Sequence, residues 1–431
     1  MIMNNISANT NKRGLIIRSW AICLALMLIS TTSPASTPRL TQSGIQIFLP
    51  KTRIHADELG LIINTLDPVS VETGRYYQLK RQIPDKNILR IQIPERTGNL
   101  SLASFKKIQA QVNNTFGADI QALALTWAAP YRVDCMSITA AFTFGYDKAF
   151  CSKSLCAHTK PSLYFNSNST APYTDYAIRP TMSIAAISKT QARELIDRGV
   201  ASDASQPPGT AYLLSTWDRH RNVRSGLFPR IRETFSGMIK TLIIKSNTLR
   251  NRNDVMFYFT GLQQVQNLDS LSFHPGAVAD HLTSTGGKLT DSKQMSALRW
   301  LEAGATGSYG TVKEPCNLPG KFPNPGILMS HYLQGETLLE AYWKSVQQPG
   351  EGIFIGEPLA APYDGVNIEE ADNIIRLTTR ALKPGSYHLT YAKSPIGPFH
   401  RWPRTLVVKP GQTVIELSRQ NYPVIRIDRI R

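Results

Sequence analysis

The chain has 431 residues, a formal net charge of +17 and a hydrophobic content of 42%. That length exceeds one typical domain, and the absence of tandem repeats and low-complexity tracts excludes a solenoid. The basic charge favours contact with anionic surfaces or acidic polymers. No RNA- or DNA-binding motif is present, so we expect no nucleic-acid partner.

The first 35 residues have the organisation of a secretory signal. Three basic residues (Lys12, Arg13 and Arg18) precede the apolar run 19–29, and small residues favour cleavage after Ala35. The run is too short to span a bilayer comfortably. We therefore predict an exported protein, periplasmic or extracellular, whose mature form has no transmembrane span and a formal charge of +14, since the leader carries no acidic residue. A retained N-terminal anchor is the alternative.

Short apolar runs alternate with helical patterns over residues 36–365, which predicts one α/β body. The expected elements are strands at 59–67, 87–94, 122–133, 211–217 and 254–261, helices at 70–82, 101–116 and 331–348, a strand and helix over 183–202, and a last strand in 351–363. Residues 236–246 suit either a helix or a strand. This alternation is typical of βαβ units and predicts a mainly parallel sheet flanked by helices.

An irregular region interrupts the body at about residues 134–180, and a region of this kind is usually functional or held by disulfides. Four cysteines remain after cleavage, and in an oxidising compartment they allow three pairings. Cys151 and Cys156 can close a small loop, so this disulfide is our first choice. Cys135 and Cys316 would then pair with each other or stay free.

The pattern changes to short alternating strands separated by Pro/Gly turns over residues 366–431. This predicts a small C-terminal β-sandwich-like module. A β extension of the main sheet is the alternative.

The densest basic cluster lies at residues 217–232 and includes Arg219, Arg221, Arg224, Arg230 and Arg232. Such a cluster is either a solvated helix-and-loop face or an anion-binding surface.

The most informative stretch is residues 254–316, where three apolar runs each end in a turn rich in Gly, Ser and Thr. In an open α/β sheet, catalytic groups and ligands lie outside the carboxyl ends of the strands. His281 and Cys316 have the residue types of a cysteine nucleophile and its base. However, Cys316 lies in a Pro-rich, loop-like context, and a disulfide would remove the nucleophile.

Other chemistries have weaker support. Asp280, His281, His274 and Glu314 could donate metal ligands, but no HExxH or paired-Cys spacing is present, so we predict neither metal nor cofactor. A serine hydrolase would need a G-x-S-x-G elbow, which the sequence lacks. The glycines of 304–310 lack the Lys-Ser/Thr of a P-loop and instead allow a tight turn.

Several blocks resemble a family of uncharacterised exported bacterial proteins. They cover roughly residues 122–362 and read LTWAAPYRV, CMSITAAF, FHPGAVADHLTSTGG, GATGSYGTVKEPC, KFPNPG, GETLLEAYWKSV and GEPLAAP. The combination is specific, but the family has no established activity, so the resemblance implies a fold more than a function.

A more distant resemblance, over residues 254–358, is to gingipain-type cysteine peptidases, which have a caspase-like α/β fold. The segments VMFYFTG, GAVADHLTS, EAGATGSYGT, GETLLEA and IFIGEP follow the order of that family's blocks. Thr260-Gly261 stands where the family has His-Gly, and the segment 280–283 stands where its Cys falls. Gly356-Glu357-Pro358 replaces Gly-Asp-Pro. The resemblance therefore implies a peptidase-like cleft without the usual base or nucleophile.

The leading hypothesis is an exported envelope protein that binds an unknown peptide or anionic envelope component in a catalytically degenerate cleft. The residues expected to line the cleft are Thr260, Gly261, Asp280, Thr283 and Glu314. One alternative is an active cysteine hydrolase that uses His281 and Cys316. The other is a binder of anionic polymers or membrane surfaces through the arginine cluster.

Overall fold

The computed structural model describes residues 38–94, 97–154, 156–371, 373–419 and 421–430. The predicted leader and its cleavage site lie outside these residues. Among the described residues, no helix is long and apolar enough to cross a membrane.

The described part of the chain starts with strands β1 (Arg39–Leu40) and β2 (Gln46–Phe48), and the α/β body follows. The elements of the first half of the body are β3 (Leu59–Asn64), α1 (Pro68–Arg81), β4 (Ile88–Ile91), β5 (Asn99–Leu100), α2 (Leu102–Thr115), β6 (Ala122–Leu125), β7 (Arg132–Val133), β8 (Met136–Ser137), α3 (Ile138–Phe144), α4 (Pro172–Tyr176) and β9 (Thr181–Ser183).

The second half has longer strands. Its elements are α5 (Lys189–Ser202), β10 (Thr210–Ser215), α6 (Phe228–Thr234), β11 (Lys240–Lys245), β12 (Arg252–Thr260), β13 (Leu271–His281), α7 (Leu298–Glu302), β14 (Gly307–Thr311), α8 (Pro325–Leu333), α9 (Leu338–Ser345) and β15 (Gly352–Gly356). The ambiguous segment 236–246 therefore contains a strand.

Ten strands form one sheet in the order β11-β10-β12-β13-β14-β15-β9-β6-β3-β4. Among the described strands of this sheet, neighbours are parallel except at the β14–β15 junction, where Gly307 pairs with Gly356 and Thr311 with Gly352. The sheet thus consists of two parallel halves that run in opposite directions. The α/β class is confirmed, but the mainly parallel arrangement is only partly correct, because the sheet is mixed.

Local sequence explains where several helices begin and end. Asp67 caps α1 by accepting a hydrogen bond from the Val69 amide, and a capping box of Thr337 and Glu340 starts α9. The single helix predicted over 331–348 is instead two helices, because Gly335 adopts a left-handed conformation with φ +84° between them. This break turns the side chain of Glu336 into the interior.

Side chains on both faces of the sheet are buried. In β12, Phe257 packs edge-on against Tyr332 of α8, with the ring centroids 6.2 Å apart. Tyr258 packs against Trp300 of α7, at 5.0 Å, in a separate cluster. Burial on both faces explains why the strands of the body are continuous apolar runs.

The predicted C-terminal β module is present as two packed sheets. Its strands are β16 (Val366–Ala371), β17 (Ile374–Thr379), β18 (Gly385–Ala392), β19 (His400–Arg401), β20 (Leu406–Val408), β21 (Val414–Ser418) and β22 (Val424–Arg429). One sheet has the order β16-β17-β21, and the other has β1-β2-β22-β18-β19 with β20 beside β18. Residues 39–48, which the sequence assigns to the body, therefore lie in this module, where β2 runs parallel to β22.

A buried charge cluster joins the module to the body. Glu336 is fully buried and contacts the ammonium groups of Lys344, at 2.7 Å, and of Lys383, which precedes β18. His331 Nδ1 lies 2.9 Å from the same carboxylate. Burial alone would raise the pKa of Glu336, but Lys344, Lys383 and His331 outweigh it and hold that pKa far below its ordinary value.

We expect Glu336→Gln to lower the free energy of unfolding by about 3–5 kcal/mol, because two buried lysines lose their counter-charge. The matched control is Glu416→Gln, which removes a half-exposed partner of Arg376 and should cost at most about 1 kcal/mol. Urea titration at neutral pH measures both changes. Equal effects of the two variants would contradict the account.

The same variant has a pH signature. Because the pKa of Glu336 is depressed in the folded state, its carboxylate stabilises the protein when the pH is above the ordinary pKa of 4.5. This contribution is lost as the pH falls below 4.5 toward the pKa of the folded state. The wild type should therefore lose stability below about pH 4.5 more steeply than Glu336→Gln.

Candidate functional site

Four parallel strands of the second half end at one edge of the sheet, and the loops that follow three of them form a cleft together with Cys156 of the irregular region. The strands are β10, β12, β13 and β14. The cleft has a volume of about 380 Å³ and is lined by Cys156, His220, Arg221, Leu282, Thr283, Ser284, Glu314, Cys316 and Asn317. Its position is the one at which open α/β sheets hold ligands.

A buried ion pair lies at the ends of these strands. Arg224 Nη1 lies 2.6 Å from Asp280 Oδ1, and both side chains are at most 4% exposed. The Arg224 guanidinium also donates to the carbonyl oxygens of Thr260 and Pro323. Burial raises the pKa of Asp280, while Arg224 opposes that shift. Arg224 therefore ties together the ends of β12 and β13 and the loop before α8.

Thr260 and Gly261, at the end of β12, are covered by the loop that follows β10. A Cβ atom on Gly261 would lie 1.9 Å from the carbonyl oxygen of Arg221, so only glycine allows the 216–222 loop to approach this closely. Thr260 is 2% exposed, and its Oγ1 has no hydrogen-bond partner. Thr260, Gly261 and Asp280 thus lie beneath the cleft, whereas Thr283 and Glu314 line it.

The loop after β13 folds back over β14. The backbone amide of Gly287 donates to Thr311 O at 2.9 Å, and a Cβ atom on Gly310 would lie 2.4 Å from Gly287 N. The 304–310 glycines of the sequence therefore serve a close backbone contact, at Gly310 in particular. This contact fixes the loop that carries Thr283 and Ser284 into the cleft.

A second, open groove of about 580 Å³ lies beside the cleft. It is lined by Gln264, Val265, Asn267, Leu268, Asp269, Gln294, Met295, Ser296 and Arg299. Thr283 Oγ1 donates to Gln294 Oε1 at 2.8 Å, and Arg221 Nε donates to Thr283 Oγ1 at 3.2 Å. The cleft and the groove therefore meet at the Thr283–Gln294 hydrogen bond.

His281 is a buried structural histidine. Its Nδ1 accepts a hydrogen bond from Trp300 Nε1 at 2.9 Å, and its Nε2 lies 3.2 Å from Met295 O, as a donor in the matching tautomer. Burial is the main cause that lowers the pKa of His281, from 6.5 to about 3. With both ring nitrogens occupied, the imidazole cannot accept a proton from a nucleophile.

Cys316 forms a disulfide with Cys156, and Cys135 forms one with Cys151. The predicted Cys151–Cys156 pair is therefore wrong, and Cys316 is not a free thiol. The structure contradicts a catalytic dyad of His281 and Cys316, because a disulfide sulfur is not a thiolate nucleophile. The irregular region is held to the body by the Cys156–Cys316 bond.

The suggested metal ligands are not assembled. His274 lies near the amino end of β13, while Asp280 and His281 are at its carboxyl end. Among the described residues, no group of three or more His, Cys, Asp or Glu side chains could hold a metal ion.

The arginine cluster is divided between the interior and the surface. Arg224 is buried, and Arg221 pairs with Asp218 at 2.8 Å. Arg219, Arg230 and Arg232 are exposed. The solvated-face interpretation therefore does not describe the whole cluster, since two of its arginines build the cleft.

Sequence reasoning missed several residues of the cleft and groove, namely His220, Arg221, Ser284, Gln294 and Asn317. One signal could have found some of them, because His220 and Arg221 follow the end of predicted strand 211–217 and Ser284 follows β13. Gln294 and Asn317 lie in loops whose path the sequence pattern does not define.

No protein-family model and no curated protein matches the chain. Similar solved structures include the complex of the pro- and mature domains of the gingipain RgpB from Porphyromonas gingivalis. The TM-score is 0.43 and the sequence identity 9%, and the match covers 84% of this chain and 93% of that chain. Another is described as a protease, with a TM-score of 0.38 and 10% identity over 88% of this chain and 96% of that chain. These are distant likenesses, and they assign no role to any residue here. Membership of the family of uncharacterised exported proteins stays a prediction.

We expect mild reductant to open the Cys156–Cys316 disulfide before the Cys135–Cys151 disulfide. Cys156 is exposed and Cys316 lines the cleft, whereas Cys135 and Cys151 are each 8% exposed. Stepwise reduction, alkylation and peptide mass mapping report the order, with the buried pair as the internal control. Simultaneous opening, or the reverse order, would contradict the predicted difference in access.

We expect His281→Gln to flatten the acid dependence of stability. Because the pKa of His281 is depressed in the folded state, this residue does not reduce stability above its ordinary pKa of 6.5. As the pH falls from 6.5 toward 3, the unfolded state binds a proton that the folded state does not, and stability decreases. Removing this group should reduce the slope by up to about 1.4 kcal/mol per pH unit. Urea unfolding between pH 7 and 4 measures the slope, and His400→Gln, at an exposed position, should leave it unchanged. An unaltered slope in His281→Gln would show that the imidazole is not buried in its neutral form.

Proposed function

We propose that this protein binds an extended polypeptide segment across the cleft and the adjoining groove, and that it does so without thiol catalysis. The observation that carries the proposal is the state of the two residues with catalytic potential. Cys316 is disulfide-bonded, and both ring nitrogens of His281 are engaged in the interior. The cleft keeps the location of an active site but lacks a free thiol among the described residues.

The shape of the cleft and groove favours an extended ligand. Volumes of about 380 and 580 Å³ fall within the usual range for small-ligand pockets, and the two spaces adjoin at the Thr283–Gln294 hydrogen bond. A peptide that lies across both would use several shallow contacts in series rather than one deep pocket. Extended peptides are recognised in this way, through main-chain hydrogen bonds and alternate side chains.

The side chains that line the cleft can form hydrogen bonds with the backbone of a peptide ligand. Ser284, Asn317 and His220 offer side-chain donors and acceptors, and Glu314 provides a carboxylate that also accepts a hydrogen bond from the Cys316 amide. Arg221 already has partners in Asp218 and Thr283, so its role is to hold the wall of the cleft.

We further propose that binding takes place after export. Two disulfides in the described chain suit an oxidising compartment, and the apolar run at residues 19–29 suits a signal. The physiological ligand is then a peptide segment of another exported or envelope protein.

The test is a peptide-array measurement with the purified protein, scored for both binding and cleavage. The wild type should retain peptides without cleaving them. Ser284→Trp should weaken binding at least tenfold, because the indole fills the cleft, at a cost of roughly 1.4 kcal/mol or more. Ser236→Trp, at an exposed position that follows α6, is the matched control and should bind as the wild type does.

Two results would count against the proposal. Peptide cleavage that disappears in Cys316→Ala would show an active thiol hydrolase. Binding that survives Ser284→Trp but disappears when Arg219, Arg230 and Arg232 are all changed to Glu would move the function to the exposed arginines.

A further inference from the structure

The C-terminal module has an exposed end whose chemistry the peptide-binding proposal does not use. We define the distal tip as residues 390–405 and 422–426, which include the end of β18, the β18–β19 loop, β19 and the start of β22. Lys383, just before β18, is buried against Glu336 of the body. The eight residues of β18 extend for roughly 26 Å, so the tip lies at the far end of that strand from this contact.

An apolar side chain projects from the tip. Ile396 is 95% exposed, which is the highest value for any large hydrophobic residue among those described. Its loop has a defined turn, since the Gly397 amide donates to Ser394 O and Ser394 Oγ donates to Gly397 O, each at 3.1 Å. The turn therefore holds an isoleucine in water, where it gains no packing energy from the fold.

Aromatic side chains surround the base of this loop. Tyr391 contacts Tyr422, with ring centroids 4.1 Å apart, and Trp402, at 6.0 Å. All three are only partly buried. Tyrosine and tryptophan with one apolar side and one polar group favour the boundary between water and the acyl region of a membrane.

All charged residues of the distal tip are basic. It contains Lys393, Arg401, Arg404 and Arg426, and no Asp or Glu occurs in residues 390–405 or 422–426. Glu369, Glu370 and Glu416 lie on strands β16 and β21 of the other sheet, and Asp428 lies on β22 beyond the tip. The segment that carries the exposed isoleucine therefore contains basic residues and no acidic one.

We propose that the distal tip binds the surface of an anionic lipid bilayer, with Ile396 inserted at the headgroup boundary and the basic side chains against the headgroups. The exposed aliphatic side chain favours a lipid over a polysaccharide, because sugars stack on flat aromatic faces and leave an aliphatic tip in water. Basic residues near an anionic bilayer each add attraction that salt screens. The tip shares no residue with the cleft, so this inference stands independently of peptide binding.

The experiment is co-sedimentation with phosphatidylcholine vesicles that contain or lack phosphatidylglycerol. The wild type should bind the vesicles that contain phosphatidylglycerol, and less so as salt is added. Ile396→Asp should weaken this binding at least about tenfold, because insertion of one buried aliphatic side chain is lost. The matched control is Leu163→Asp, which changes another exposed aliphatic side chain, 77% exposed, in the irregular region and should have no effect.

Two further variants separate insertion from charge. Lys393→Glu with Arg404→Glu should weaken binding and reduce its dependence on salt. With brominated lipid in the vesicles, quenching of tryptophan fluorescence should fall in Trp402→Phe and persist in Trp217→Phe. All variants carry the same residues 1–35, so the apolar leader cannot produce these differences.

The proposal is overturned if Ile396→Asp binds the vesicles as the wild type does. It is equally overturned if the protein binds soluble dextran sulfate and Ile396→Asp leaves that binding unchanged while vesicle binding is absent, since the occupant would then be a polyanion. Loss of vesicle binding in the Arg219, Arg230 and Arg232 glutamate variant, with the tip variants unaffected, would place the membrane contact on the body.

Discussion

The cleft depends on the buried ion pair between Arg224 and Asp280. Arg224 comes from the loop after β10, Asp280 from β13, and the same guanidinium holds the carbonyl oxygens of Thr260 and Pro323. One side chain therefore positions four segments at the carboxyl edge of the sheet. If Asp280 were replaced, the buried charge of Arg224 would have no counter-charge. Replacing either residue alone would therefore disrupt the contacts that Arg224 makes at this edge of the sheet. The loops that line the cleft are placed by this pair.

The disulfide of Cys316 and the buried His281 both support the cleft. The Cys156–Cys316 disulfide ties the irregular region to the loop after β14, and both cysteines line the cleft. His281 supports the opposite side of β13 through Trp300 and the Met295 carbonyl. A His at a strand end and a Cys in the loop after β14 thus hold the structure together around the cleft.

Part of this arrangement could be predicted from the sequence. Apolar runs such as 122–125 and 254–260 identified strands, and two residues of the segments that follow such strands, Thr283 and Glu314, line the cleft. The direction of β15 could not be predicted, because a strand buried on both faces has the same pattern in parallel and antiparallel pairs. The cysteine pairing also escaped prediction, since nearness in sequence favoured Cys151–Cys156 while the fold brings Cys316 to Cys156.

Cys316 must be disulfide-bonded for the cleft to lack a thiol, and peptide mapping of the unreduced protein after denaturation and alkylation tests this most directly. We predict that the peptides containing Cys156 and Cys316 are recovered as one cross-linked species and that Cys316 carries no alkyl group. Recovery of alkylated Cys316 from the natively purified protein would contradict this pairing and would restore the thiol as a potential nucleophile.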